Sequence, residues 1–436
     1  MQILKFDLSK KGGPFKVMNA VNNGPCHKRH ATDQKRSNFA DYKAARIPYA
    51  RNHDAAFFSG YGGEHTVDIT AIFPDFSKDA NDPASYDFVV TDEYIHVTLE
   101  AGTQTYYRLG QKIEHYIKKF GTLPPADFHK WAIICEHIIR HYNEGWANGY
   151  HLNIEYWEIW NEPDLDEDDS TNKRTWGGTK AEFFDLYEIT AKHLKSCFPH
   201  LKIGGPALAY REDWAADFLS EMKKRAVEID FFSWHIYCTE PAQMLEKAER
   251  IKNLLVKSGY EQTESILNEW NYVKGWEDEF IDSIETIIGI KGAAFTMACM
   301  SAAQHSSIDM LMYYDARPSA FNGIFDYYTY RPLKGYYPFL WYGMFYDMQA
   351  EVVCENEIPD IYILCGCDQD GKTLTVITYY TDCDDAPEKE ICVDFGKDGE
   401  YDIYFLDETH QGELVNTTSD LSFVMQANSC LMIREK

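Results

Sequence analysis

The sequence has no long hydrophobic run and little positive charge. No window approaches about 20 consecutive apolar residues, so we expect no membrane-spanning helix. The N-terminal stretch MQILKFDLSKKGGPF also lacks the apolar core of a signal peptide. Lys and Arg number 42 against 69 Asp and Glu, which gives a formal net charge of −27. Because such a charge repels phosphate backbones and anionic lipids, we expect neither a nucleic-acid nor a membrane partner.

Signatures of metal and nucleotide binding are missing as well. The eleven cysteines include one close pair, Cys365 and Cys367, with no second pair at zinc spacing. The HIIRH stretch at 137–141 lacks the Glu of the HExxH zinc motif, and no P-loop or G-x-S-x-G sequence occurs. Free thiols without an export signal predict a cytoplasmic protein.

Short β-branched or aromatic runs alternate with helical patterns through most of the 436 residues. Alternation of this kind indicates parallel βαβ units, and eight strands are the number that closes a (β/α)₈ TIM barrel. We therefore predict an α/β fold of this type. The eight candidate strands are Phe15–Val21, Arg46–His53, Tyr94–Leu99, Ile154–Trp160, Lys202–Gly205, Ile229–Ser233, Ser265–Asn268 and Asp309–Tyr313.

The pattern changes after about residue 345. The runs DIYILCGC, KTLTVITYY, KEICVDF, EYDIYFLD, GELVN and CLMIRE are separated by Asp, Gly and Asn turns, which is typical of antiparallel strands. The alternating segment Gln2–Leu8 precedes the first barrel strand, and we expect it to join this sheet. The predicted domains are a catalytic barrel over 15–345 and a β-sandwich formed by 1–14 and 346–436.

Two glutamates stand where chemistry is expected in a barrel, at the C-terminal ends of strands. The fourth candidate strand leads into Trp160-Asn161-Glu162-Pro163-Asp164, and the seventh leads into Asn268-Glu269-Trp270-Asn271. Paired carboxyl groups among amides and aromatics are the machinery of glycoside hydrolysis, in which one is protonated and the other ionised. The pair predicts a glycosidase that needs no metal and no organic cofactor.

These motifs resemble family 39 of the glycoside hydrolases, the clan A family of β-xylosidases and α-L-iduronidases. The resembling segments span nearly the whole chain: VNNGP, RNHD, AGTQTYYRLGQKIEHY, YWEIWNEPD, WHIY and LNEWN. The resemblance implies a retaining mechanism, with Glu162 as acid/base and Glu269 as nucleophile. It also implies that Asn161 donates to the sugar 2-OH and to the nucleophile's oxygen, and that Tyr237 hydrogen-bonds Glu269. The acid requires a raised pKa, which a neighbouring carboxylate and partial burial would supply.

Other positions are candidates for binding a carbohydrate substrate. His235 is expected beside Tyr237 in the pocket floor, and His53 and Asp54 are expected to hold sugar hydroxyls. Indole faces stack on the C–H faces of sugars, so we expect Trp176 and Trp270 at the rim.

The chain departs from the family pattern after the eighth strand, where Tyr313, Tyr314, Asp315 and Arg317 replace a Trp and a Glu-rich loop. Arg317 either pairs with Asp315 or binds a substrate carboxylate or a second sugar. The favoured substrate is a β-linked sugar such as xylose, cleaved by exo action. Glucosidase, galactosidase, arabinosidase, iduronidase and endo activities stay open, as do a non-catalytic carbohydrate-binding barrel and a homo-oligomer.

Overall fold

The computed structural model describes residues 2–27, 36–53, 66–319, 321–354, 358–383 and 385–436. After an N-terminal strand β1 (Gln2–Lys5), eight parallel strands form a closed barrel in chain order. The predicted TIM barrel is thereby confirmed. The barrel strands are β2 (Val17–Asn22), β3 (Tyr49–Arg51), β4 (Gln104–Leu109), β5 (Tyr156–Ile159), β6 (Lys202–Leu208), β7 (Phe231–Cys238), β8 (Glu264–Tyr272) and β9 (Met310–Tyr313).

Helices surround the barrel, and their ends follow local sequence signals. Thr179 and Glu182 form a reciprocal capping box at the start of α5, and α4 ends at Gly145, whose φ of 76° suits a residue without a side chain. The helices are α1 (Phe39–Ala44), α2 (Ile69–Ile72), α3 (Val89–Glu100), α4 (Phe128–Glu144), α5 (Lys180–Cys197), α6 (Glu212–Lys224), α7 (Pro241–Lys257), α8 (Phe280–Ile288), α9 (Ile290–Gln304) and α10 (Tyr336–Met344).

The third predicted strand was wrong. Tyr94–Leu99 lies inside helix α3, and the third barrel strand is β4 at Gln104–Leu109. The run YIHVTL has high β propensity, but Thr91, Ile95 and Thr98 recur at helical spacing and form a buried stripe. Tertiary packing of that stripe therefore decides the conformation over the local propensity.

The segment 281–305, predicted as one helix, is two helices. Helices α8 and α9 meet at Gly289 with a bend of 79°. Among the described residues no single helix has the length and apolarity to cross a membrane, although this bent pair meets the same criteria when taken together. Most side chains of α9 are buried against the rest of the protein.

Short strands make up the C-terminal part of the chain, as predicted. A six-stranded antiparallel sheet has the order β10-β11-β12-β17-β14-β15, and a three-stranded sheet has the order β1-β13-β16. Two of these strands, β10 and β16, were not anticipated. The strands are β10 (Ala350–Glu351), β11 (Ile361–Cys367), β12 (Thr373–Tyr379), β13 (Lys389–Asp394), β14 (Tyr401–Leu406), β15 (Gln411–Thr418), β16 (Ser422–Met425) and β17 (Ser429–Glu435).

The N-terminal strand joins this C-terminal region, as expected from its alternating pattern. It pairs with β13 in parallel, whereas every other pairing in the two sheets is antiparallel. One face of the six-stranded sheet contributes Leu364, Val376 and Met432 to the main core with the barrel helices. Its other face contributes Ile377 and Ile433 to a second core with the three-stranded sheet. The proposed division of the chain at about residue 345 stays a prediction.

Candidate active site

The two predicted carboxylates lie together at the C-terminal end of the barrel. Glu269 is within β8, and Glu162 follows β5 by three residues. One carboxylate oxygen of each lies within 4.8 Å of the other. The chain reaches this geometry through a tight turn, in which Trp160 has a φ of 72° and Glu162 a φ of 49°. The Glu162 amide donates to the Ala207 carbonyl at 2.9 Å, which fixes the turn to β6.

Glu269 is 7% exposed and is held by donors on both carboxylate oxygens. The Tyr237 hydroxyl donates to Oε1 at 2.6 Å, and Nη1 of Arg51 donates to Oε2 at 3.3 Å. Burial and the nearby Glu162 carboxyl raise the pKa of Glu269, while Arg51 and the Tyr237 hydrogen bond act to lower it. These donors favour the ionised carboxylate in a site that otherwise disfavours charge.

His235 connects the two carboxylates. Its Nδ1 lies 2.8 Å from Oε1 of Glu162 and 3.7 Å from Oε2 of Glu269. Burial lowers the pKa of His235 to about 4, so the ring is neutral near pH 7. Beneath it, the buried ammonium of Lys247 donates to the His235 carbonyl at 2.7 Å. Lys247 therefore holds the backbone at His235, and the imidazole orients Glu162 through Nδ1.

The lowered pKa of His235 makes the free energy of unfolding depend on pH. An unfolded His has a pKa of about 6.5, so the unfolded chain binds the extra proton first, and stability is lost as pH falls from there toward 4. Between about pH 7.5 and about pH 5, we expect wild type to lose about 2 kcal/mol more than His235→Gln in urea unfolding. If the free energies of unfolding of the two proteins fell in parallel with pH, protonation of His235 would not be what destabilises the folded state.

Arg51 is a site residue that the sequence reasoning missed. Its side chain is fully buried and donates to Glu158 at 2.7 Å, to Asn161 Oδ1 at 2.6 Å and to Asn22 Oδ1 at 3.1 Å, besides Glu269. The guanidinium thus links Glu269 to Asn161. The RNHD segment contains Arg51, but nothing within that segment marks the arginine as a site residue.

The remaining polar candidates have different positions. Asn161 is 3% exposed and accepts from Arg51 through Oδ1, so its Nδ2 is the part that can donate to a substrate. The His53 ring is buried, 6.5 Å from the ring of Tyr314. Asp54 lies outside the described residues.

Asp315 and Arg317 form the structural pair that was one of the two expectations for them. Asp315 is fully buried, and its Oδ2 lies 3.3 Å from Nη2 of Arg317. Its Oδ1 accepts from the Arg317 amide at 2.5 Å. The charge of Arg317 is therefore partly balanced within the protein.

The expectation that Trp176 and Trp270 present their ring faces at the rim was wrong. Trp176 is 4% exposed, and its ring packs edge-on against Trp160 and Phe183 at 5.1 and 5.4 Å. Trp270 is 1% exposed and packs against Tyr313 and Phe295. Successive strand residues point to opposite sides, so the residue after the inward-facing Glu269 faces the helices.

A different set of aromatics flanks the carboxylates. Trp276, which is 60% exposed, meets the Tyr237 ring at 4.8 Å in a T-shaped arrangement. Phe280 stacks on Trp276 at 5.6 Å, and Phe321 lies 6.2 Å from the same indole. We call Trp276, Phe280 and Phe321 the aromatic wall. Its position next to Tyr237 depends on how the loops after β8 and β9 fold, which no residue pattern revealed.

Sequence comparison places the chain among known proteins. The family model described as "Glycosyl hydrolases family 39" matches residues 4–284, and the chain belongs to this family. The resemblance noted from the motifs is therefore confirmed. The β-xylosidase of Geobacillus stearothermophilus is 30% identical over 175 residues, which is 35% of this chain and 33% of that protein. The β-xylosidase of Caldicellulosiruptor saccharolyticus is 28% identical over 195 residues, 39% of this chain and 38% of that protein.

These alignments thus span 33% and 38% of the length of the relatives. Solved structures, in contrast, match over the whole length of this chain. A glucosidase from Croceicoccus marinus has a TM-score of 0.81 at 20% identity, covering 100% of this chain and 99% of that one. An α-L-arabinofuranosidase from Thermotoga maritima has a TM-score of 0.66 at 13% identity, with coverage of 100% and 99%. These structures establish the shared fold.

Proposed function

We propose that the protein is a retaining, exo-acting glycoside hydrolase, with Glu162 as acid/base and Glu269 as nucleophile. The observation that carries this proposal is the separation of the two carboxylates, whose nearest oxygens lie within 4.8 Å. Retaining enzymes have carboxyl groups about 5–5.5 Å apart, whereas inverting enzymes need about 6.5–9.5 Å to admit a water molecule. The short separation supports attack by Glu269 itself.

In the first step, Glu269 attacks the anomeric carbon while Glu162 gives its proton to the leaving oxygen. The glycosidic bond breaks as the glycosyl–Glu269 ester forms. In the second step, Glu162 accepts a proton from water, and the resulting attack releases the sugar and restores the Glu269 carboxylate. The Tyr237 hydroxyl, 2.6 Å from Oε1 of Glu269, and the Arg51 guanidinium, 3.3 Å from Oε2, would hold the carboxylate in place for attack on the sugar.

A neutral β-linked sugar such as xylose is the proposed substrate. The two relatives compared above are β-xylosidases, and the net charge of −27 disfavours an anionic substrate. The ion pair between Arg317 and Asp315 also weakens the case for Arg317 as a carboxylate receptor. We further propose a reducing, cytoplasmic location, which is supported by the eleven free cysteines.

The test is a panel of 4-nitrophenyl glycosides that includes xylosides, glucosides, galactosides, arabinosides and uronides. We expect the β-xyloside to have the highest kcat/KM and the first-formed free sugar to keep the β configuration in proton NMR. An α-anomeric first product would refute the retaining mechanism. A uronide hydrolysed fastest would refute the neutral-sugar assignment while leaving the mechanism intact.

Trp276 is expected to bind the aglycone. Its indole is 60% exposed beside Tyr237, and stacking on an aromatic group contributes about 0.5–1.5 kcal/mol. Trp276→Ala should therefore raise KM for nitrophenyl glycosides by about 3- to 10-fold. The effect should shrink for the methyl glycoside, whose aglycone cannot stack. An equal increase for both substrates would assign Trp276 to the sugar ring instead.

A further inference from the structure

A cluster of side chains of the kinds that bind metals lies in the outer helical layer of the barrel, away from Glu162 and Glu269. Glu136 belongs to α4, and His193 and Cys197 stand one turn apart on α5. One donor atom of each residue, an oxygen, a nitrogen and a sulfur, lies within 4.8 Å of the other two. The hydrolysis proposed above uses none of these residues.

We infer that Glu136, His193 and Cys197 form a site for a zinc-like divalent metal ion, which would crosslink helices α4 and α5. A carboxylate, an imidazole and a thiolate are each zinc ligands, and three protein ligands leave a fourth position for water. The thiolate selects zinc or cobalt over magnesium and calcium, which prefer oxygen ligands. Binding forms a metal–sulfur bond as the Cys197 thiol releases its proton to solvent, with no redox change.

The His193 nitrogen lies closer to the Glu136 oxygen, and slightly farther from the Cys197 sulfur, than in a tetrahedral metal site. Bond lengths of about 2.0–2.3 Å imply separations of about 3.3–3.7 Å between ligand atoms. Here Nε2 of His193 lies 2.6 Å from Oε2 of Glu136 and 4.0 Å from Sγ of Cys197. Movements of less than about 1 Å in the His193 side chain would therefore bring both pairs into range.

The surroundings of the cluster prearrange the carboxylate. Nε of Arg140 donates to Oε1 of Glu136 at 2.7 Å, which turns Oε2 toward His193. Hydrogen bonds of this kind orient ligating carboxylates in known metal sites. Arg140 also brings a positive charge, which its second partner, Glu144, offsets. The side chains of Glu136 and His193 are 13% and 30% exposed, so an ion can reach them from solvent.

Cobalt(II) absorption tests the site in the intact protein, after removal of any histidine tag. Thiolate ligation gives a charge-transfer band in the near ultraviolet, which the catalytic trio of Glu162, His235 and Glu269 cannot produce because it has no sulfur. We expect one equivalent of cobalt to produce this band and zinc to displace it. Cys197→Ser should abolish the band, and His193→Gln should weaken cobalt binding at least about 10-fold.

Cys383→Ser is the matched control, because Cys383 is an exposed thiol elsewhere on the chain, and it should leave the band unchanged. Zinc should also raise the melting temperature of wild type but not of Cys197→Ser, while hydrolytic activity of the variant stays at the wild-type level. Absence of the band in wild type, or its persistence in Cys197→Ser, would overturn the assignment. Neither result depends on the proposed hydrolase function.

Discussion

Glu269→Ala is expected to lower kcat on 4-nitrophenyl β-xyloside by at least about 10⁴-fold, the scale seen when a covalent nucleophile is removed. Azide should restore turnover, because it fits the space left by the carboxylate and attacks the same carbon. The product should be the α-glycosyl azide, since a single displacement inverts the β substrate. Activity is measured by nitrophenol release, and the product configuration by proton NMR.

Glu264→Gln is the control for this variant. Glu264 lies at the opposite end of the same strand, 2.7 Å from Lys202, and its replacement should leave kcat within a few-fold of wild type. Undiminished hydrolysis by Glu269→Ala would remove this residue from the mechanism. Rescue that gives the β-glycosyl azide would assign the nucleophile to another carboxylate.

Glu162→Gln should give a loss that depends on the leaving group. General acid catalysis accelerates such reactions by about 10²–10⁴-fold. A leaving group of high pKa depends on it most, because its oxygen must be protonated as the glycosidic bond breaks. We therefore expect a loss of that size in kcat/KM for an alkyl or disaccharide substrate and a much smaller loss for a 2,4-dinitrophenyl glycoside. Azide should accelerate the second step and give the β-glycosyl azide, the opposite configuration to that from Glu269→Ala.

The pH profile supplies a second measurement on Glu162→Gln. The basic limb of kcat/KM reports the acid in the free enzyme, so it should flatten in this variant and persist in Glu167→Gln. Glu167 is an exposed glutamate on the same loop, where it pairs with Arg211. An equal loss on all leaving groups with an unchanged basic limb would contradict the acid/base role.

The barrel could be predicted because its signal is repeated. Seven of the eight strands were located from short apolar runs between helical patterns, and only the third was misplaced. There, YIHVTL and QTYYRL are adjacent runs of similar β propensity, and the difference between them is the buried stripe of Thr91, Ile95 and Thr98 in α3. That stripe is recognisable only when the partner surface is known.

Site residues at the ends of strands could be predicted from the sequence. Residues whose side-chain direction depends on packing could not. Glu162 and Glu269 follow from motifs at strand ends, whereas the places of His235 and Tyr237 were implied by the resemblance to family 39. The structure brings the polar atoms of all four together. For the aromatics, by contrast, exposure depends on which way each side chain faces. Trp270 faces the helices, whereas Trp276, six residues later on a loop, is exposed beside Tyr237.

Arg51 shows a different limit of sequence reasoning. A single arginine in a short strand has no local pattern that marks it as functional, and its four partners come from distant parts of the chain. Glu158 lies in β5 and Asn161 just after it, Asn22 ends β2, and Glu269 lies in β8. Only closure of the barrel brings these groups around one guanidinium.

The proposed mechanism requires that Glu269 becomes covalently glycosylated during the reaction. The direct measurement is peptide mass mapping after incubation with 2,4-dinitrophenyl 2-deoxy-2-fluoro-β-xyloside, whose fluorine slows release of the glycosyl–enzyme. We expect one added fluoroxylosyl group per chain, on the peptide that contains Glu269. A group attached to any other residue, or turnover of the reagent to the inverted sugar with no labelled peptide, would contradict it.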